Sequence, residues 1–417
     1  MDAFFSSRAR AARLAAALAG LGLSHAPGAG AQVVDIDLGA SGYIEPSGTS
    51  ALRVINPSVS VTGRPTESVG VHARYEADIV SGATETVKAG SLSGVDVVSS
   101  ATSFDDTRHI ASGGLTVTRE DTELAASYAY STENDYRSHS LLVSAGTTFF
   151  QKNTELVLSY ARSFDDVCTS RYPDTLAPTA RLPLDSSRGC FTSERATRDV
   201  SLDELQLGWT QAFTPVLVTQ LALTGGIQHG FLANPYRSVV ISPSGDRALE
   251  HHPNDRLRGA VALRARLYVR GIETAFGAGV RLYRDTWDVF GASYEVTAER
   301  YLFPALRIAV RGRYSHQTGA LFYSDDYIGG EPIDGVRGQY FTGDRELSPL
   351  SNLLFGGRLL FAHEAPRGER ILGILSRASA SLAVDVVSTD LERFTWGGVT
   401  PDDTLGLLGS LGIKTEF

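Results

Sequence analysis

Charged and apolar residues alternate in this chain over segments too long for an ordinary soluble strand and too polar for a membrane helix. From Val261 to Val269 the odd positions are apolar, while Arg264 and Arg266 sit at even ones. The pattern returns in Leu306–Arg313, where Arg307, Arg311 and Arg313 share one parity, and in Tyr294–Glu299, which carries Glu295 and Glu299. Successive side chains of a strand point to opposite faces. A helix of this sequence would spread its charge all round and bury nothing well. The segments run about 10–14 residues, against about 5–6 for a soluble strand and about 9–11 for a tilted strand crossing hydrocarbon. They begin at 33–44, 52–62 and 67–78, pass through 257–269, 272–285, 289–302 and 305–318, and end at 349–362, 370–386 and 404–417. The expected fold is all-β: a transmembrane antiparallel up-and-down barrel of about 16 strands, within a range of about 14–18.

The connections support this. Tight ones at Gly63–Thr66, Glu120-Asp121, Gln151–Asn153, Thr214-Pro215, Arg270-Gly271, Phe303-Pro304 and Pro366–Gly368 alternate with longer ones, notably 79–107, 165–199, 231–256, 319–348 and 387–403. Outer-membrane barrels have short periplasmic turns and long extracellular loops, whereas a β-sandwich gives no reason for the alternation. One texture runs from Val33 to Phe417 with no Pro/Ser/Gly linker and no long apolar block, so residues 32–417 are read as one barrel domain.

The N-terminus reads as a signal peptide over residues 1–31. Arg8, Arg10 and Arg13 precede the short apolar run Leu14–Leu23, and Ala29-Gly30-Ala31 is a small-x-small cleavage site. The implied location is the outer membrane of a Gram-negative cell. The net charge of −9 becomes more negative once the leader leaves, which argues against nucleic acid as a partner. The two cysteines, Cys168 and Cys190, form an even pair in an exported chain and suggest a disulfide. At the C-terminus Leu411, Ile413, Thr415 and Phe417 share a face. Ser410, Gly412 and Phe417 resemble the terminal signal read by the barrel assembly machinery, with Thr415 departing from its usual hydrophobic residue.

With the apolar face toward lipid, the polar face lines the lumen. The expected lumen-lining residues are His72, Arg74 and Glu76, then Arg264, Arg266, Arg281, Glu295, Glu299, Arg307, Arg311 and Arg313. An arginine on the lipid face at mid-depth costs about 2–4 kcal/mol, so parity sets which face is inside. The arginines read either as an anion-attracting stripe in a water-filled pore or as an Arg/Glu ladder that rigidifies the wall. Acidic pairs recur in the outer loops at Asp105-Asp106, Asp165-Asp166, Asp325-Asp326 and Asp402-Asp403. They are weak candidates for calcium or magnesium beside the simpler role of turn-forming aspartates. His251-His252, near Asp255, is a poorer metal candidate, since adjacent histidines of an extended chain point apart. No phosphate loop, zinc spacing, haem motif or nucleophile elbow is present, so neither a cofactor nor an enzyme is expected.

Asp78–Thr84, Ser99–Arg108 and Ala233–Arg237 resemble a proteobacterial family of predicted outer-membrane proteins, domain-of-unknown-function family 3570. The resemblance implies a barrel and its location, with no settled activity or substrate. The expected function is a porin-like channel or transporter for small solutes with an arginine-rich wall. The alternative is a non-enzymatic scaffold anchoring a periplasmic or surface partner, such as a redox protein. Expected partners are outer-membrane lipid, lipopolysaccharide and the assembly machinery.

Overall fold

The computed structural model describes residues 33–45, 52–84, 102–184, 190–191, 195–240, 246–324, 339–366, 369–391 and 404–417. The signal-peptide reading, Asp325-Asp326 and Asp402-Asp403 lie outside this set. Sixteen strands close into one antiparallel barrel. In chain order they are β1 (Val33–Ile44), β2 (Arg53–Thr66), β3 (Val69–Thr84), β4 (Thr102–Arg119), β5 (Thr122–Thr132), β6 (Tyr136–Phe149), β7 (Thr154–Thr169), β8 (Ala196–Thr214), β9 (Leu217–Gly230), β12 (Asp255–Val269), β13 (Thr274–Asp285), β14 (Phe290–Phe303), β15 (Leu306–Gln317), β16 (Leu350–Glu364), β17 (Arg377–Asp390) and β18 (Thr404–Glu416). A small hairpin, β10 (Ser238–Val240) and β11 (Arg247–Leu249), lies in the loop between β9 and β12.

Each strand pairs with its sequence neighbours, and β1 closes the ring on β18 in a register running from Asp35↔Glu416 to Ile44↔Leu407. The Phe417 N–H extends that seam by donating to the Val34 carbonyl at 3.0 Å. Closure leaves no sheet edge, which hydrocarbon requires because it offers backbone groups no other partner. No helix among the described residues is long and apolar enough to cross a membrane.

The register sorts the side chains into two faces. Leu221, Leu223, Val261, Leu263, Val280, Leu282, Val296 and Val310 share one parity around neighbouring strands. Phe355, Leu382, Leu411 and Ile413 continue that face toward the seam. Many of these are widely exposed, Val296 at 63% and Phe355 at 67%. A band of exposed aliphatic and aromatic side chains encircling the molecule is the surface that meets lipid. The opposite face is polar and lines the interior. Phe417 has the outward parity of Leu411 and Ile413, whereas Ser410 and Gly412 have the inward one.

The structure corrects the expected elements in three places. The segment 370–376 is not strand: Ile371 bridges to Leu375 around Leu372 and Gly373, both at positive φ, and β17 begins only at Arg377. The turn expected at Gly63–Thr66 is part of β2, whose register slips between Gly63 and Thr66 so that the chain reverses at Glu67-Ser68. Asp165-Asp166 and Asp105-Asp106 lie in β7 and β4 instead of in loops, because these strands pair with their neighbours well beyond the alternating segment. The side chains of Asp105 and Asp106 are outside the described set.

Gly230 ends β9 at φ 118°, and a Cβ there would stand 2.0 Å from the Asp199 carbonyl oxygen. Gly230→Ala is expected to destabilise the barrel by about 1–3 kcal/mol, read as a lower urea midpoint for protein refolded in detergent. Gly271→Ala, with open space around the new carbon, should move it by less than about 0.5 kcal/mol. Equal midpoints would contradict the backbone argument.

Candidate functional site

The interior is asymmetric. On β4 to β7 the inward positions are small and mostly uncharged: Ser112, Gly114 and Thr116, then Ala125 and Ser127, then Ser140 and Ser144, then Ser159, Ala161 and Ser163. On β12 to β16 they are Arg256, Arg258, Arg264, Arg266, Arg281, Arg307, Arg311, Arg313 and Arg358, set among Asp285, Glu295 and Glu299. Thus the eight residues expected from β12 to β15 share one face. His72, Arg74 and Glu76 share the inner face of β3, with Arg74 paired to Glu76 at 2.6 Å.

The basic wall carries a recurring geometry in which an arginine reaches over the neighbouring strand at a glycine. In register, Arg311 on β15 faces Gly356 on β16, which faces Asp385 on β17. With no side chain at Gly356, Arg311 crosses β16 and Nε donates to Asp385 Oδ1 at 2.7 Å while Nη2 donates to Oδ2 at 2.5 Å. Asp385 is only 3% exposed, and a Cβ at position 356 would fall 1.9 Å from its carboxylate. Arg264 likewise lies over Gly279 on β13, while Arg266 reaches Glu299 on β14 at 3.2 Å, and Glu299 also holds Arg307 at 3.0 Å. Arg256 is tied to buried Asp285 through Nε at 2.9 Å and lies 4.1 Å over the Trp287 ring. These arginines form a ladder. Arg264, Arg281, Arg313 and Arg358 have no ion-pair partner among the described residues.

Several of these groups escaped the sequence reading. Arg256 and Asp285 lie at the boundaries assigned to their strands. Asp385, between Val384 and Val386, was hidden by the misplaced start of β17; with the strand framed from Arg377, its parity with Ser379, Ser381 and Ala383 reveals it.

Three long loops meet over the end of the barrel that carries them. The loop containing β10 and β11 pairs with the loop after β15 through the His251–Phe341 bridge, with N···O distances of 3.1 and 2.9 Å. It pairs with the loop after β7 where the Leu249 N–H donates to the Arg181 carbonyl, and the Leu184 N–H to that of Pro235, each at 2.7 Å. The latter loop is stapled by a Cys168–Cys190 disulfide packed on Leu184. Polar contacts extend the strap: Tyr236 donates to Asp135 between β5 and β6, Arg237 pairs with Asp344, and Arg345 pairs with Glu45 beyond β1 at 3.4 Å. In ring order these four anchors stand four strands apart, so the loops must lean across the mouth to meet. At their base Trp287, Val289, Ala320, Phe322 and Leu347 form a buried apolar cluster on the basic wall.

The histidines expected as weak metal candidates serve this cap. His252 packs edge-on against Trp287, and His251 lies against Tyr340, while Asp255 pairs with His229. Among the described residues no cluster of three metal-binding side chains occurs. Asp165 accepts from Tyr136 at 2.6 Å.

Removing Arg311 strands a buried carboxylate. Arg311→Ala is expected to cost about 1–3 kcal/mol in urea unfolding, whereas Arg313→Ala, which breaks no ion pair, should cost less than about 0.5 kcal/mol. Comparable losses would refute the division between ladder and unpaired arginines.

Burial holds His251 below its ordinary value of 6.5, with Arg181 and His252 acting in the same direction and the Gln339 carbonyl against it. A group that binds its proton less readily when folded lends stability above its unfolded value and loses it as pH falls. The loop contact should therefore be complete above about pH 6.5 and loosen below it. Amide exchange at His251 and Phe341, corrected for intrinsic rates, should quicken in acid in the native protein and not in His251→Phe. The same acid response in both would overturn the assignment.

The structure is similar to several solved barrels. A bacterial polysaccharide outer-membrane secretin aligns over 92% of this chain and 98% of its own at a TM-score of 0.49 and 10% identity. OccD3 (OpdP) of Pseudomonas aeruginosa aligns over 94% and 93% at 0.43 and 10%. The siderophore receptor PirA of Acinetobacter baumannii aligns over 86% and 53% at 0.43 and 11%. No curated protein matches the sequence. The family match extends over residues 11–357, from before β1 into β16, and the chain therefore belongs to the DUF3570 family, proteins of unknown function.

Proposed function

We propose that the protein is a porin-like channel of the Gram-negative outer membrane, exported by its N-terminal leader, that passes small solutes with a preference for anions. The observation that carries this reading is the inner wall itself. Arg264, Arg281 and Arg313 point into the interior without carboxylate partners, opposite a wall of serine, threonine and alanine. Arginines in a low-dielectric passage attract anions and repel cations, and the opposite wall is mostly uncharged. The paired arginines, Arg266, Arg307 and Arg311, rigidify the same wall. In this orientation the short turns face the periplasm, the strapped loops face outward, and lipopolysaccharide surrounds the loop end. The chain carries out no reaction in this reading.

A second reading, a scaffold that anchors a periplasmic partner, draws on one feature. The turn between β16 and β17 exposes Leu372 at 89% and Ile374 at 59% on the short-turn side, an apolar knob beyond the band of strands.

Planar-bilayer recording tests the first reading. Pure folded protein should conduct, and in a potassium chloride gradient its reversal potential should show anion preference. The double variant Arg264→Glu, Arg313→Glu should shift that potential toward cations. Conductance with an unchanged potential would reject the arginines as the filter. Absence of conductance, with a partner retained through purification and lost on Leu372→Ser, would favour the scaffold.

A further inference from the structure

Beneath the loop strap, the 3-10 turn Arg345–Leu347 and the ends of β12 to β16 line an open pocket of about 320 Å³. The turn is held firmly. Asp344 caps it by accepting from the Glu346 N–H at 2.9 Å, and Gln317 on β15 donates to the Glu346 and Ser348 carbonyls at 2.8 and 3.0 Å. The cavity is therefore bounded by a rigid wall and an anchored turn, at the small end of the range for ligand sites.

Two full charges of opposite sign line it, Arg281 from the wall and Glu346 from the turn. Neither side chain has an ion-pair or hydrogen-bond partner among the described residues, and they do not pair with each other. The other guanidinium on the lining, Arg256, is already committed to Asp285. The lining also includes Val289 and Leu347, at the edge of the buried apolar cluster, and Asn352, whose Oδ1 accepts from Thr389 so that its NH₂ is left to donate. A simple anion would answer Arg281 and leave Glu346 repelling it. A simple cation would do the reverse. A ligand bearing both charges, with a small apolar body, answers both unpaired charges and the apolar part of the lining.

We propose that this cavity binds a zwitterionic amino acid with an apolar side chain, its carboxylate on Arg281, its ammonium on Glu346 and its side chain against Val289 and Leu347. The proposal rests on reading the barrel interior as a solute path and names the solute class that pauses there. An Arg fork matches a carboxylate with two parallel hydrogen bonds, and Asn352 can add a third donor. The unpaired arginines deeper on the wall then draw the carboxylate end onward, so a zwitterion and an anion-preferring pore are compatible.

Calorimetric titration of the folded, full-length protein in detergent tests this with three probes: L-leucine, 4-methylpentanoate, which lacks the amine, and 3-methylbutan-1-amine, which lacks the carboxylate. Leucine should bind, and each single-charge analogue should bind about ten- to a hundredfold more weakly, as loss of one charge-assisted contact implies. Arg281→Gln and Glu346→Gln should each weaken leucine by a similar factor, and Glu346→Gln should leave 4-methylpentanoate no weaker than before. Equal binding of leucine and 4-methylpentanoate by the native protein would overturn the zwitterion site, as would absence of leucine binding. Both results come from the native chain and do not depend on any variant folding. A conducting pore that ignores leucine would overturn this proposal and leave the channel reading standing. Leucine binding by a non-conducting barrel would support the site and remove the channel.

Discussion

Backbone hydrogen bonding in hydrocarbon governs this molecule. Each N–H and C=O of a membrane-spanning strand must find its partner within the protein, since an unpaired group costs several kcal/mol where no water can reach it. The β1–β18 seam meets that demand at the one place where chain continuity cannot. Once the ring is closed, the period of two propagates around it without interruption, and each strand has one face for lipid and one for water. Everything irregular is displaced to the ends. The three long loops, the disulfide and the apolar cluster around Trp287 all lie where backbone can be satisfied by water or by other loops.

Closure also shapes the inner wall. Side chains on the concave face converge, so nine arginines on four of five adjacent strands crowd one another. Glycine relieves the crowding. At Gly356 an arginine lies flat across the neighbouring strand and ends on an acid two strands away. Laid flat, such an arginine braces three strands. In the proposed channel the arginines without an ion pair, Arg264, Arg281 and Arg313, are the ones left to act on a solute, with Glu295 standing among them in register. Alternation alone cannot show which arginines are paired, since the partners lie two strands away.

The sequence was most legible where one physical rule acted locally. Parity along β12 to β15 placed Arg264, Arg281, Glu295 and Arg313 together because each strand obeys the same period and the tight turns preserve it. It was least legible where partners are chosen by ring order. Nothing near Glu45 announces Arg345, and nothing near Asp135 announces Tyr236; they meet because four-strand intervals bring their loops over one mouth. Segment 370–376 misled for a different reason. Ile371, Ile374 and Leu375 look like strand residues, but positive φ at Leu372 and Gly373 folds them into a turn. Asp165 failed as a loop residue because β7 continues past the apolar band, where no hydrophobic contrast marks a strand.

In the proposed channel the strap and the passage place opposite demands on the mouth. The contacts that span it are polar: Arg237 and Arg345 remain about one-third exposed, but Asp344 and Glu45, which they hold, are only 13% and 2% exposed, so losing either arginine strands a largely buried carboxylate at a cost of about 1–3 kcal/mol. The loop base is different in kind. Trp287, Phe322 and Leu347 are buried against one another, and full burial of such side chains contributes about 1.5–3 kcal/mol each. The loop after β15 is therefore rooted by apolar burial on the basic wall and held by a buried carboxylate where it crosses to β1. The Arg345–Leu347 turn, which lines the pocket beside Arg281, belongs to both parts: Leu347 sits in the root and Arg345 makes the crossing. Any solute that occupies the cavity presses on the residue next to Arg345, so solute binding and the hold on the mouth act through the same three residues.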